Sequence, residues 1–113
     1  MASLTRAAIT PPVLRKEAVP CVPLGGDVVL RMLTLSERLA LHERLRDAPA
    51  AEGRYAQMAA LLAVAAIDAE TGGPLMSAQE WDLFAAEHTD AAMVLLDAAK
   101  RLSGFDGEDV RKN

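Results

Sequence analysis

No side chain of a type that carries out catalysis has a partner in this sequence at a spacing that indicates a reaction. The two histidines are His42, in the middle of one predicted helix, and His88, at the end of another. A histidine near a helix C-terminus is favoured by the helix dipole alone, so His88 needs no catalytic role. Catalysis requires converging groups with tuned pKa values. The sequence therefore predicts no enzyme activity and no catalytic residues.

Metal and cofactor sites have equally little support in the sequence. Asp68 and Glu70 are close enough to share a cation, but a calcium loop needs further oxygen ligands at alternate positions. Cys21 is the only cysteine, so it forms no intrachain disulfide and lacks the companions that a zinc site needs. Neither glycine pair is followed by the Lys-Ser or Lys-Thr of a phosphate-binding loop. We expect no metal and no cofactor.

The composition favours a small, helix-rich protein of one domain. The chain has 113 residues, of which 51% are hydrophobic and only 4% aromatic, because alanine supplies much of the apolar share. Alanine has the highest helix propensity and brings little volume, so the core should be thin and closely spaced. The net charge of −4 comes without a cationic stripe, which argues against nucleic acid as a partner. We interpret the basic start, with Arg6, Arg15 and Lys16, as a solvated terminus.

The same features predict a cytoplasmic location and no membrane span. The longest apolar run, from Met58 to Ile67, has ten residues. That is about half of what a bilayer-spanning helix requires. The first residues lack the continuous apolar segment of a secretory signal, and a single thiol is typical of a reducing compartment.

The N-terminal part reads as a lead segment followed by a β-hairpin. Residues 1–17 are predicted to form a flexible lead, because the pair Pro11-Pro12 excludes helix. An extended segment at 19–24, a turn at Gly25-Gly26 and a return strand at 28–33 then predict the hairpin. A two-stranded hairpin is marginal alone, so it should pack on the helices or pair with another subunit.

Four helices are predicted after the hairpin. The first begins near Thr34, with Glu37 at the capping-box position, and ends before Pro49; its leucines at 35, 39 and 45 should form one face, with the leucine at 41 just off it. The second runs from about 52 to 67 and is apolar all round. It should therefore be the centre of the bundle or meet another subunit. Ser77 and Glu80 cap the third helix, and the fourth begins at 89 or 90 and ends at Gly104.

The sequence thus predicts a mainly α protein: about four helices in a small bundle with an N-terminal β-hairpin. A single helical domain should span 18–104, followed by a polar C-terminal tail at 105–113. Apolar and aromatic side chains often carry interface energy, although Trp81 and Phe84 lie on an amphipathic face that favours core. The candidate protein-interaction residues are Tyr55, Met58, Leu62, Trp81, Phe84 and Phe105.

The order of segments resembles the tail assembly chaperones of long-tailed bacteriophages. Three stretches carry the resemblance: the extended segment 28–33 followed by Thr34-Leu35-Ser36-Glu37, the turn and helix start at 68–81, and the C-terminal segment at 102–113. Together they lie within residues 19–113. None of the three is a catalytic signature.

The resemblance implies a function and a set of partners. Such chaperones coat the long helical tape-measure protein in the host cytoplasm and are absent from the mature virion. In many of these phages a ribosomal frameshift yields a longer form, whose extension recruits tail-tube subunits. A homo-oligomer is also expected, because alanine-rich faces allow close approach between copies. Two other readings stay open: a structural tail or head-completion protein retained in the virion, and a small regulatory subunit or enzyme fragment.

Overall fold

A computed structural model describes residues 2–46 and 50–104, without the side chains of residues 45 and 50–56. Four helices pack with a three-stranded antiparallel sheet in these residues, so the fold is mixed α/β and not a purely helical bundle. The order along the chain is β1 (Lys16–Cys21), β2 (Gly26–Arg31), α1 (Leu35–Arg46), α2 (Ala50–Ala65), β3 (Ala66–Ile67), α3 (Ala78–Glu87) and α4 (Thr89–Ser103).

The predicted hairpin is present, but both of its strands begin and end earlier than predicted. Strand β1 starts at Lys16, pairs with Arg31, and ends at Cys21, which pairs with Gly26. Residues Val22–Leu24 form a short 3-10 turn, closed by Gly25 at a φ of 81°. A side chain at that φ is strained, so glycine suits the position. The predicted strand at 19–24 was therefore placed about three residues too late.

Strand β3 was not predicted from the sequence. Helix α2 ends at Ala65, and the next two residues pair antiparallel with Val29 and Leu30 of β2. Ile67 also forms an isolated antiparallel bridge with Pro74, across the turn from 68 to 74. The prediction that the helix continues to Ile67 was wrong, because backbone pairing with β2 replaces the last helical hydrogen bonds.

Local capping signals in the sequence were confirmed. Thr34 N donates to Glu37 Oε1 at 2.9 Å, and Glu37 N donates to Thr34 Oγ1 at 3.2 Å. Ser77 and Glu80 make the same reciprocal pair at 2.9 and 3.1 Å. Gly104 ends α4 at a φ of 77°. The predicted stop at Pro49 lies outside the described residues.

Helix α2 lies at the centre of the structure, which is one of the two positions that its all-round apolar sequence predicted. It packs against α1, α3, α4 and β3. Small side chains line these contacts, and Ala65, Ala66, Ala92 and Ala99 have no exposed surface. Their small volume lets helices approach closely, and packing at such contacts tolerates no added bulk.

Helix α4 is fastened to the sheet at its C-terminal end. Leu33 N, just after β2, donates to the buried Ser103 Oγ at 3.0 Å. Arg101 Nη2 donates to Glu17 Oε2 of β1 at 2.7 Å, in a largely exposed ion pair. The buried hydrogen bond is the stronger constraint of the two, since exposed ion pairs contribute little.

Candidate protein-binding surface

The side chains whose types suggest chemistry lie in structural positions. His42 is exposed on α1, and His88 ends α3 with its ring 5.3 Å from that of Phe84. Cys21 is buried in the core. Asp68 Oδ1 accepts from Glu70 N at 2.8 Å and from Thr71 N at 3.2 Å, so this carboxylate organises the turn. Within the described part of the chain, no group of three or more metal-binding side chains converges.

Four of the predicted interaction residues belong to the chain's own core. Met58, Leu62, Trp81 and Phe84 are at most 9% exposed, and the rings of Trp81 and Phe84 meet edge to face with centroids 5.6 Å apart. A partner does not reach them on the surface of this structure. The side chain of Tyr55 and the whole of Phe105 lie outside the described residues.

The outer face of α1, which carries Leu35 and Leu39, exposes two large apolar side chains next to each other. Leu35 and Leu39 are 70% and 58% exposed, whereas Leu41 is only 5% exposed. The two described leucines that were predicted to share one face are therefore exposed, and the leucine predicted to lie just off that face is buried. Residues 35 and 39 are one helical turn apart and side by side, while residue 41 lies nearly opposite residue 39. The helix cannot bury both sides against the same neighbour.

An ion pair explains which side of α1 turns inward. The guanidinium of Arg31, at the end of β2, donates two hydrogen bonds to the Glu37 carboxylate, at 2.8 and 2.7 Å. Glu37 and Leu41 are four residues apart and share a side of the helix. Fixing Glu37 to the sheet thus turns Leu41 toward the core and presents Leu35 and Leu39 outward.

The Arg31–Glu37 contact also shifts both pKa values. The hydrogen bonds from Arg31, with further help from the Thr34 amide, lower the pKa of Glu37 from 4.5 to about 2. The same carboxylate raises the pKa of Arg31. A carboxyl whose pKa is lowered on folding stabilises the fold above its unfolded pKa and loses that contribution as the pH falls to the folded value.

We expect Glu37→Gln to lower the free energy of unfolding by about 1 kcal/mol at neutral pH, since the charged pair is lost but the amide still caps Thr34. The difference from the wild type should shrink as the pH falls from 4.5 to about 2, where Glu37 itself becomes protonated. Urea unfolding across this range measures it. Glu43→Gln is the matched control, because the Glu43–Arg46 pair is 3.6 Å apart and over 70% exposed. A Glu37→Gln effect as small as that of the control would contradict the expectation.

A groove lies beside the exposed leucines, between α1 and the described part of α2. It encloses about 720 Å³ and is lined by Leu39, His42, Glu43, Arg46 and Gln57. Residues 35, 39, 42 and 46 recur at spacings of four, three and four, so they form one stripe along α1. The stripe is apolar near the helix start and cationic near its end. Such a surface suits a helix laid along it better than a small molecule.

Comparison with known proteins gives no relative from which a role could be transferred: no family model, curated protein or solved structure matches the chain. In residues 2–46 and 50–104, no helix has both the length and the apolar character needed to cross a bilayer.

Proposed function

We propose that this chain is a phage tail assembly chaperone that binds the tape-measure protein during tail assembly. The observation that supports the proposal best is the pair of exposed leucines on α1, one turn apart and next to an open groove. Apolar side chains one turn apart beside a groove are the anchor pattern by which a partner helix is bound. The resemblance of the segment order to this chaperone family supplies the identity of the partner.

The chemistry of the stripe fits a long amphipathic helix. An apolar ridge of the partner would cover Leu35 and Leu39, and its polar side chains would meet Glu43 and Arg46 at the rim of the groove. Each contact is small, so one copy binds weakly. Many copies along one long partner gain strength through avidity, and weak single contacts still allow displacement by the tail-tube protein.

Co-expression with the tape-measure protein of the same phage tests the function. A tagged chain should co-purify with it and keep it soluble, and should be missing from purified virions. Failure of the two proteins to associate would contradict the proposal. Retention of the chain in finished particles would instead favour the alternative of a structural tail or head-completion protein.

A further inference from the structure

The first residues of the chain form an arm that is exposed throughout. Residues 2–15 precede β1, and every one of their side chains is exposed, including Leu4 at 80% and Val13 at 85%. The main chain is joined to the body at Arg15, whose carbonyl accepts a hydrogen bond from Met32 N at 2.9 Å. An arm of this length reaches up to about 45 Å when extended.

The arm is both apolar and cationic. Arg6, Arg15 and the adjacent Lys16 give residues 2–16 three positive charges, and this segment contains no acidic residue. Between the cations lie apolar side chains, among them Ile9 and Val13, that gain nothing from exposure to water.

Helix α3 and helix α4 as far as residue 99 have the opposite charge, whereas the last turn of α4 carries Lys100 and Arg101. Residues 78–99 contain no lysine or arginine, and their five carboxylates are all exposed: Glu80, Asp82, Glu87, Asp90 and Asp97. Apolar side chains are exposed on the same two helices, with Leu83 at 64%, Val94 at 55% and Met93 at 39%. We call this surface, formed by the exposed side chains of residues 79–97, the acidic face.

We infer that the arm of one copy binds the acidic face of a second copy. Charge complementarity selects the pairing, because the segment with cations and no acids meets residues 78–99, which have acids but no lysine or arginine. Both segments also expose large apolar side chains, which are removed from water together when they meet. In a single chain both the arm and the acidic face are exposed, so the arm does not cover the acidic face of its own chain. We therefore assign the arm of a second copy to this face.

Two charge-reversed variants test this inference in the purified chain alone. Arg6→Glu with Arg15→Glu and Lys16→Glu changes residues 2–16 from three positive to three negative charges and should weaken self-association at least tenfold. Replacing Asp82, Glu87, Asp90 and Asp97 with lysine leaves the acidic face with four positive charges and one negative charge and should do the same. Combining both sets should raise association well above that of either variant, because the two surfaces again carry opposite charges. Sedimentation velocity over a concentration series gives the association constants, and Val22→Glu, at a side chain 88% exposed on the hairpin turn, is the control.

Salt provides a second readout that needs no variant. Raising NaCl from about 0.05 M to about 0.5 M should weaken wild-type association, since the Debye length falls below the spacing of exposed charges. A wild-type chain that stays monomeric at every concentration would overturn the inference, as would a combined variant no better associated than either charge-reversed variant alone. The assay contains no tape-measure protein, so its outcome is independent of the proposed function.

Discussion

Replacing Trp81 with alanine should remove about 3–5 kcal/mol from the free energy of unfolding, the cost of deleting a large side chain from a packed core. Trp81 has no exposed surface and packs edge to face on Phe84. Domains of this size are stable by only about 5–15 kcal/mol, so the variant should be unfolded at much lower urea concentrations. Far-ultraviolet circular dichroism is the appropriate measurement, because the substitution removes the only tryptophan.

Leu83→Ala is the matched control for this experiment. Leu83 lies two residues further along α3 and is 64% exposed, so its truncation should change stability by less than about 0.5 kcal/mol. Trp81→Phe should cost much less than Trp81→Ala, since no described group accepts a hydrogen bond from the buried Trp81 Nε1. Equal costs for Trp81→Ala and Leu83→Ala would show that α3 does not pack as described.

The second large effect concerns binding. Leu35→Glu with Leu39→Glu should weaken binding to a helical fragment of the tape-measure protein by about 100-fold or more. Burying a leucine contributes about 1.5–3 kcal/mol, and the variant replaces two of them with charges that must be desolvated. Because both leucines are more than half exposed in the free chain, its own stability should hardly change.

Isothermal titration of a monovalent fragment measures this loss without the contribution of avidity. Val22→Glu introduces the same charge at another exposed apolar position and should bind like the wild type. An unchanged affinity for the leucine variant, with the fold intact by circular dichroism, would place the partner on another surface.

Features set by neighbouring residues were the ones that the sequence predicted well. The two capping boxes need only a hydroxyl and a carboxylate three residues apart. The end of α4 needs only a glycine, because Gly104 adopts the positive φ of the C-terminal cap without strain. The central position of α2 also followed from its composition, because a helix without a polar side has to be covered on all sides.

Features set by distant residues were missed. Two residues form β3 only because β2 offers a free edge, and nothing in Ala66-Ile67 distinguishes them from the end of a helix. The inner side of α1 depends on Arg31, which precedes the helix and holds Glu37 from the sheet. Periodicity alone cannot choose between Leu39 and Leu41 without that contact.

The candidate binding surface on α1 was missed for a related reason. Aromatic and large apolar side chains are enriched both in cores and at interfaces, so Trp81 and Phe84 were candidates by type alone. Burial separates the two roles, and burial is a property of the fold. The spacing of Leu35 and Leu39 predicted only that they share one face of α1, and spacing alone does not say whether that face is buried or exposed.

Thiol labelling tests most directly that the chain acts through the outer face of α1. Cys21 is 3% exposed, so Leu39→Cys introduces the one readily accessible thiol of the described chain. Saturation with the tape-measure fragment should slow alkylation at position 39 at least tenfold and leave a Val22→Cys variant unaffected. Formation of the complex with no change in the labelling rate at position 39 would contradict the account.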